Sequence, residues 1–189
     1  MMHALAALFF FLAQPFWETK PPEQWTGREI DMMLGSSPWV QNVGPSPEVT
    51  VWFATAEPME AAEGEARLHK RHPLREPDPD YLDFLRENGE KVFVLAVGYP
   101  TLKGLGKEPS AWATLEKETL MTVDRKKYRI EGTFPPTPSD PVLRLVFPRA
   151  VKLTDGSVVF RLYLPGLPFP ERQAEFFVKN LVYRGKLAM

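Results

Sequence analysis

Residues 91–98 read KVFVLAVG, a nearly continuous apolar run that closes on glycine. A run this short and this apolar reads as a strand buried on both faces. The neighbouring stretch 48–56, EVTVWFATA, is rich in β-branched and aromatic residues. There Val49, Val51, Phe53 and Thr55 share one face, and Thr50, Trp52 and Ala54 share the other, so it also reads as a strand. These two segments commit the chain to a sheet, and the segments around them decide what covers it.

Helical signals lie before and between them. Thr26-Gly27-Arg28-Glu29 fits a capping box, in which the threonine hydroxyl accepts from the N3 amide and the glutamate reaches back to the N-cap. Ile30, Met33 and Leu34 follow on one face, Gly35 suits a left-handed stop, and Ser36-Ser37-Pro38 turns the chain away. A short helix is expected over 27–34. Residues 58–70, rich in Glu and Ala behind Pro58, predict a second helix, and 71–77 a loop. Asp78-Pro79 caps and opens a third, with Leu82 and Leu85 inward and Gly89 beyond its end.

After a Gly/Pro-rich loop at 99–110 the pattern becomes β. Residues 115–123 and 127–134 predict a hairpin turning at 124–126. Segment 135–141 is a proline-rich break, and 142–147 and 150–153 are short strands. Asp155-Gly156 is a hairpin turn signal leading into 157–164. Residues 165–170 form a loop, and 174–183 and 186–189 close the chain as strand broken at Arg184-Gly185. The sum is an α+β protein with a mainly antiparallel, curled or barrel-like sheet and short helices confined to the N-terminal half. No internal repeat or low-complexity linker divides residues 14–189, which are expected to form one globular domain.

Composition narrows the function. The 189 residues include 20 prolines, which cut the chain into short elements and exclude a bundle of long helices. There is no cysteine, which removes disulfides, thiol catalysis and Cys-ligated metals. A formal net charge of -1 argues against general affinity for nucleic acid or an anionic membrane. The apolar run 4–13 in MMHALAALFFFLA is too short to span a bilayer but suits the core of a secretory signal. Residues 1–13 are therefore expected to direct export, with a mature chain from about Gln14 that has no membrane span.

Few residues suggest chemistry. His69 and His72 are three apart, as metal ligands on a helix can be, but Lys70 and Arg71 between them repel a cation. Glu57, Glu60, Glu63 and Glu65 cluster where a helix N-terminus favours negative charge. The stretch KGLGK at 103–107 lacks phosphate-loop spacing, and neither a G-x-S-x-G nor an H-E-x-x-H motif occurs. No catalytic residue, metal ligand or cofactor is assigned. Arg144 sits inside the apolar run VLRLVF on the face of Val142 and Val146. A buried arginine requires a partner. It meets an anionic group in a pocket, forms a structural ion pair, or faces solvent. Arg144, Arg149 and Trp52 are the candidate ligand-binding residues. Trp17, Trp25 and Trp39 form either an aromatic platform or, on the larger area argument, a staple between the N-terminal arm and the sheet.

Several pieces in order carry a resemblance: Phe16-Trp17-Glu18 with Trp25, Ser37-Pro38-Trp39, the strand with Trp52, EPMEA at 57–61, VFVLAVGYP at 92–100, Phe147-Pro148-Arg149, and LVYRGKL at 181–187. Together they resemble a group of short bacterial exported proteins. The resemblance implies export to the periplasm or medium and a shared single domain, and it brings no catalytic residues. The function expected is non-catalytic binding of a small apolar or amphiphilic ligand or of a protein partner. A small carboxylate- or metal-dependent hydrolase and a structural protein assembling through sheet edges are the alternatives.

Overall fold

A computed structural model describes residues 14–69, 77–99 and 109–189. The expected export signal at 1–13, His72 and the KGLGK stretch lie outside the described residues. Among the described residues the chain forms five α-helices and eleven strands, and every strand pair is antiparallel. The first half holds α1 (Phe16–Thr19), α2 (Gly27–Ser36), β1 (Val40–Val43), β2 (Val49–Phe53), α3 (Glu57–Leu68), α4 (Pro79–Asn88) and β3 (Val92–Gly98). The second half holds α5 (Pro109–Glu118), β4 (Leu120–Val123), β5 (Lys126–Arg129), β6 (Gly132–Phe134), β7 (Val142–Pro148), β8 (Ser157–Tyr163), β9 (Glu171–Phe177), β10 (Val182–Tyr183) and β11 (Lys186–Leu187).

The strands sort into two main sheets and one small hairpin rather than one curled or closed sheet. The first sheet runs β1-β2-β3-β7-β6, the second β5-β4-β8-β9, and β10 pairs with β11. The segment expected as one strand over 127–134 divides at Ile130-Glu131. Its first half joins the second sheet as β5, and its second half joins the first sheet as β6. A strand that switches sheets makes a corner between two layers instead of extending one curve.

Alternation assigns the faces. Phe53, Phe93 and Phe147 point from the first sheet toward Phe160 and Phe176 of the second. Ring centroids are 5.8 Å apart for Phe53–Phe160, 5.2 Å for Phe147–Phe160 and 4.6 Å for Phe53–Phe176. All five phenylalanines are fully buried, so the two layers meet through interdigitated rings. At one corner, the Gln41 side-chain amide of β1 pairs with the Glu175 main chain of β9. It donates to the carbonyl and accepts from the N–H at 3.2 Å. A side chain thus occupies two edge groups that would otherwise be open to another strand.

The helices are not confined to the first half. Pro109–Glu118 is helical, and the expected strand over 115–123 begins only at Leu120. Ala111, Ala113, Leu115, Glu116 and Lys117 are strong helix formers. Leu115 is fully buried, and the Thr119 N–H closes the helix on the Leu115 carbonyl at 2.9 Å. Three smaller expectations also change. Gly35 lies within α2, which ends at Ser36. In α4 Tyr81 is buried and Leu82 exposed, because the inward stripe runs through Tyr81, Phe84 and Leu85. Residues 150–153 are not a strand; Asp155 instead accepts from the Lys152 N–H at 2.7 Å, so the Asp-Gly pair ends a loop rather than a hairpin. The strand β1 has no counterpart in the sequence reading.

Other signals translate directly. The β4–β5 turn, expected over 124–126, is the two-residue loop Asp124-Arg125, both at positive φ, with Lys126 already in β5; Arg184-Gly185 makes the same kind of turn between β10 and β11. The capping box of α2 forms in both directions. Glu29 is held at about 2, chiefly by the Lys20 ammonium donating to it at 2.6 Å and then by the Thr26 N–H. Its folded-state value is depressed below the ordinary 4.5. Its contribution to stability is therefore present above about 4.5 and lost as pH falls toward 2. Urea midpoints should show a gap between the natural chain and Glu29→Gln at neutral pH that closes across this acid window.

The tryptophans of the N-terminal arm act as the staple. Trp17 stands edge-on to Trp39 at 6.0 Å, and Trp39 to Tyr183 at 6.5 Å. Trp39 is fully buried, and its indole N–H donates to the Ala188 carbonyl at 2.8 Å. The arm is thereby tied to the end of the chain.

Candidate functional site

The outer face of the first sheet carries the candidate site. Antiparallel register lines up Trp52 of β2, Ala96 of β3, Arg144 of β7 and Phe134 of β6 on one rung. The small Ala96 leaves room between the two large side chains. One step along, Thr50, Gly98 and Val142 form the next same-face rung. Gly98 has no side chain, so the strand backbone is the floor there.

Helices supply the walls. Met59, Glu63, Ala66 and Arg67 come from one side of α3 at i, i+4, i+7 and i+8 spacing, and Leu34 comes from α2. Pro77 and Tyr99 flank the end of the sheet. Together they enclose an open cavity of about 410 Å³. Its apolar lining is Leu34, Trp52, Met59, Ala66 and Val142; its polar lining is Thr50, Glu63, Arg67, Tyr99 and Arg144.

Arg144 is the polar centre of this face. It is 8 % exposed and donates from Nη1 to Asp140 Oδ2 at 2.6 Å, where Asp140 is 3 % exposed. The guanidinium also lies 4.5 Å from the centroid of the Tyr81 ring, the most buried side chain of α4. An ion pair with a cation–π contact is how a desolvated arginine is tolerated. Burial pushes the Tyr81 and Tyr99 hydroxyls above the ordinary tyrosine range, so both stay protonated.

Three residues of the cavity wall each hold a buried polar atom without a hydrogen-bond partner: Trp52 Nε1, the Tyr99 hydroxyl and Arg144 Nε. Indole and guanidinium N–H groups can only donate, and a protonated tyrosine also donates. Each such group costs about 1–3 kcal/mol while unpaired. The atoms lie within the wall rather than on its surface, so a ligand oxygen reaches them only with a small side-chain adjustment.

Of the three sequence-nominated residues, Trp52 and Arg144 thus meet at one cavity and Arg149 does not. Arg149 donates from Nε to the Gly89 carbonyl at 3.1 Å and from Nη1 to the Met189 main-chain oxygen at 2.9 Å. It ties the end of α4 to the end of the chain. Tyr81, Gly98, Tyr99 and Asp140 were not nominated. Gly98 and Tyr99 sit at the end of the KVFVLAVG run, where a glycine signals close approach of another group. Asp140 lies in the proline-rich break, where nothing marks a partner for an arginine four residues on.

The histidine and carboxylate clusters lead elsewhere. His69 is exposed and sits 3.5 Å from Glu65 on the last turns of α3. Glu57 and Glu60 occupy the first turn of the same helix, where its dipole favours them. No group of three or more His, Cys, Asp or Glu side chains is placed to hold a metal ion among the described residues. No helix among them is long and apolar enough to cross a membrane. Comparison with known protein families, with curated proteins and with solved structures finds no match for this chain.

Proposed function

We propose that this chain is a binding domain whose ligand is a small amphiphile seated between the first sheet and helices α2 and α3. The observation that carries the reading is the cavity of about 410 Å³, half-walled by apolar side chains and backed by three partnerless buried donors. A concave pocket of this size that combines apolar wall with convergent polar groups is a usual form of small-molecule site. The apolar lining suits a short hydrocarbon body. The donors suit an oxygen-bearing end that accepts hydrogen bonds, such as a carboxylate.

The floor provides the test. A Cβ added at Gly98 meets Trp52 Cζ3 at 3.5 Å and the Thr50 carbonyl oxygen at 3.8 Å, both ordinary contacts. The Cβ of a larger residue is thus accommodated, and Gly98→Leu is expected to fold, occupy the cavity floor beside Trp52 and exclude laurate, which the natural chain is expected to take up.

A further inference from the structure

One end of the second sheet carries a charge pattern that the whole-chain balance conceals. The registers place the end of β4 at Val123, the start of β5 at Lys126, the start of β8 at Ser157 and the end of β9 at Phe177 side by side. Three connections meet there: the Asp124-Arg125 turn, the loop before Ser157 and the turn after Phe177. The last two are joined by the Val178 N–H donating to the Gly156 carbonyl at 3.2 Å.

Arg125, Lys126, Lys152 and Lys179 are exposed at this end, and none is in an ion pair among the described residues. They face two carboxylates, Asp124 and Asp155, and the latter already accepts from the Lys152 N–H. One rung back, Lys127 and Glu175 stand at opposite edges of the sheet, and Glu175 accepts from the Ser157 hydroxyl at 2.7 Å. Two large apolar side chains are exposed on the same connections: Leu153, 53 % exposed, in the loop before β8, and Phe177, 54 % exposed, at the end of β9. A hollow open to solvent lies beside Arg125, Ser157 and Phe177.

We infer that this end of the second sheet is a docking surface for an anionic lipid bilayer. Leu153 and Phe177 enter the interface, and Arg125, Lys126, Lys152 and Lys179 stay at the headgroups. Apolar insertion and cationic attraction are each weak alone, and together they hold a protein at a bilayer surface. Two separate apolar side chains do not make the dry centre that a protein partner requires. The net charge of the chain does not oppose this, because attraction acts over about one Debye length of surface, ~8–10 Å at moderate salt. The inference is independent of the cavity.

Co-sedimentation of the full chain with phosphatidylglycerol vesicles, against phosphatidylcholine vesicles, tests it. Binding is expected to phosphatidylglycerol alone and to weaken with added salt. Lys126→Glu with Lys179→Glu, and separately Leu153→Ser with Phe177→Ser, should each weaken it roughly tenfold or more. These positions are exposed, so circular dichroism should show unchanged folding, and Arg86→Glu on α4 should leave binding unchanged. Absent or equal binding to both vesicles, or insensitivity to both pairs of substitutions, would overturn the inference. Retention on duplex DNA without binding to phosphatidylglycerol would overturn it equally.

Discussion

Phe160→Ala is expected to remove about 3–5 kcal/mol of folding stability, a large part of the ~5–15 kcal/mol that a domain usually has. Phe160 belongs to the second sheet, yet its ring meets Phe53, Phe93 and Phe147 of the first at centroid distances of 5.8, 6.2 and 5.2 Å. Alanine leaves a void bordered by both layers, which neither sheet can close without moving as a body. Phe160→Leu keeps most of the volume and should cost about 1.5 kcal/mol or less. The contrast lies on β9, where Phe176 is 1 % exposed and Phe177 points the opposite way. Phe177→Ala should change stability by no more than about 0.5 kcal/mol. Urea denaturation with a constant m-value measures all three. Equal losses for Phe160→Ala and Phe177→Ala would contradict the assigned faces.

Arg144→Met should cost about 3–5 kcal/mol, because it strands the Asp140 carboxylate in a site where it is 3 % exposed. Methionine fills much of the volume and still lies against the Tyr81 ring, so the loss reports the charge more than the packing. Asp140→Ala alone should be similarly harmful, since the Arg144 charge then has no carboxylate beside it. Removing both charges together should recover most of the loss, as buried ion pairs add little net stability over apolar replacements. A double-mutant cycle reads this as strong coupling between the positions. Additive losses would show that the pair is not the unit holding this face of the sheet.

The local rules were legible in the sequence where the chemistry is local. The Thr26/Glu29 capping box, the Asp78-Pro79 helix start and the KVFVLAVG strand each depend on residues within one or two turns of the chain. The hairpin after β4 was legible to within one residue: Lys126, expected in the turn, pairs with Val123 as the first residue of β5. Long-range assembly was less legible. Alternation along 127–134 is continuous in the sequence, and only the packing of two layers reveals that the chain changes sheets at Ile130-Glu131. Residues 115–118 are helix formers that run directly into β4, and the expected strand was extended back over them because nothing local separates the two elements. The site was half legible for the same reason. Arg144 stood out because charge inside an apolar run demands a partner, and Trp52 was a candidate beside it. Asp140, Tyr81 and Tyr99 come from three separate connections or helices, and no spacing rule joins them to Arg144.

We propose that the space above Trp52, Gly98 and Arg144 holds the ligand. Native mass spectrometry of the natural chain and of Gly98→Leu, each incubated with laurate, tests it most directly. One adduct on the natural chain and none on an equally folded Gly98→Leu protein is the predicted result. No adduct on the natural chain, or the same adduct on both, would contradict it.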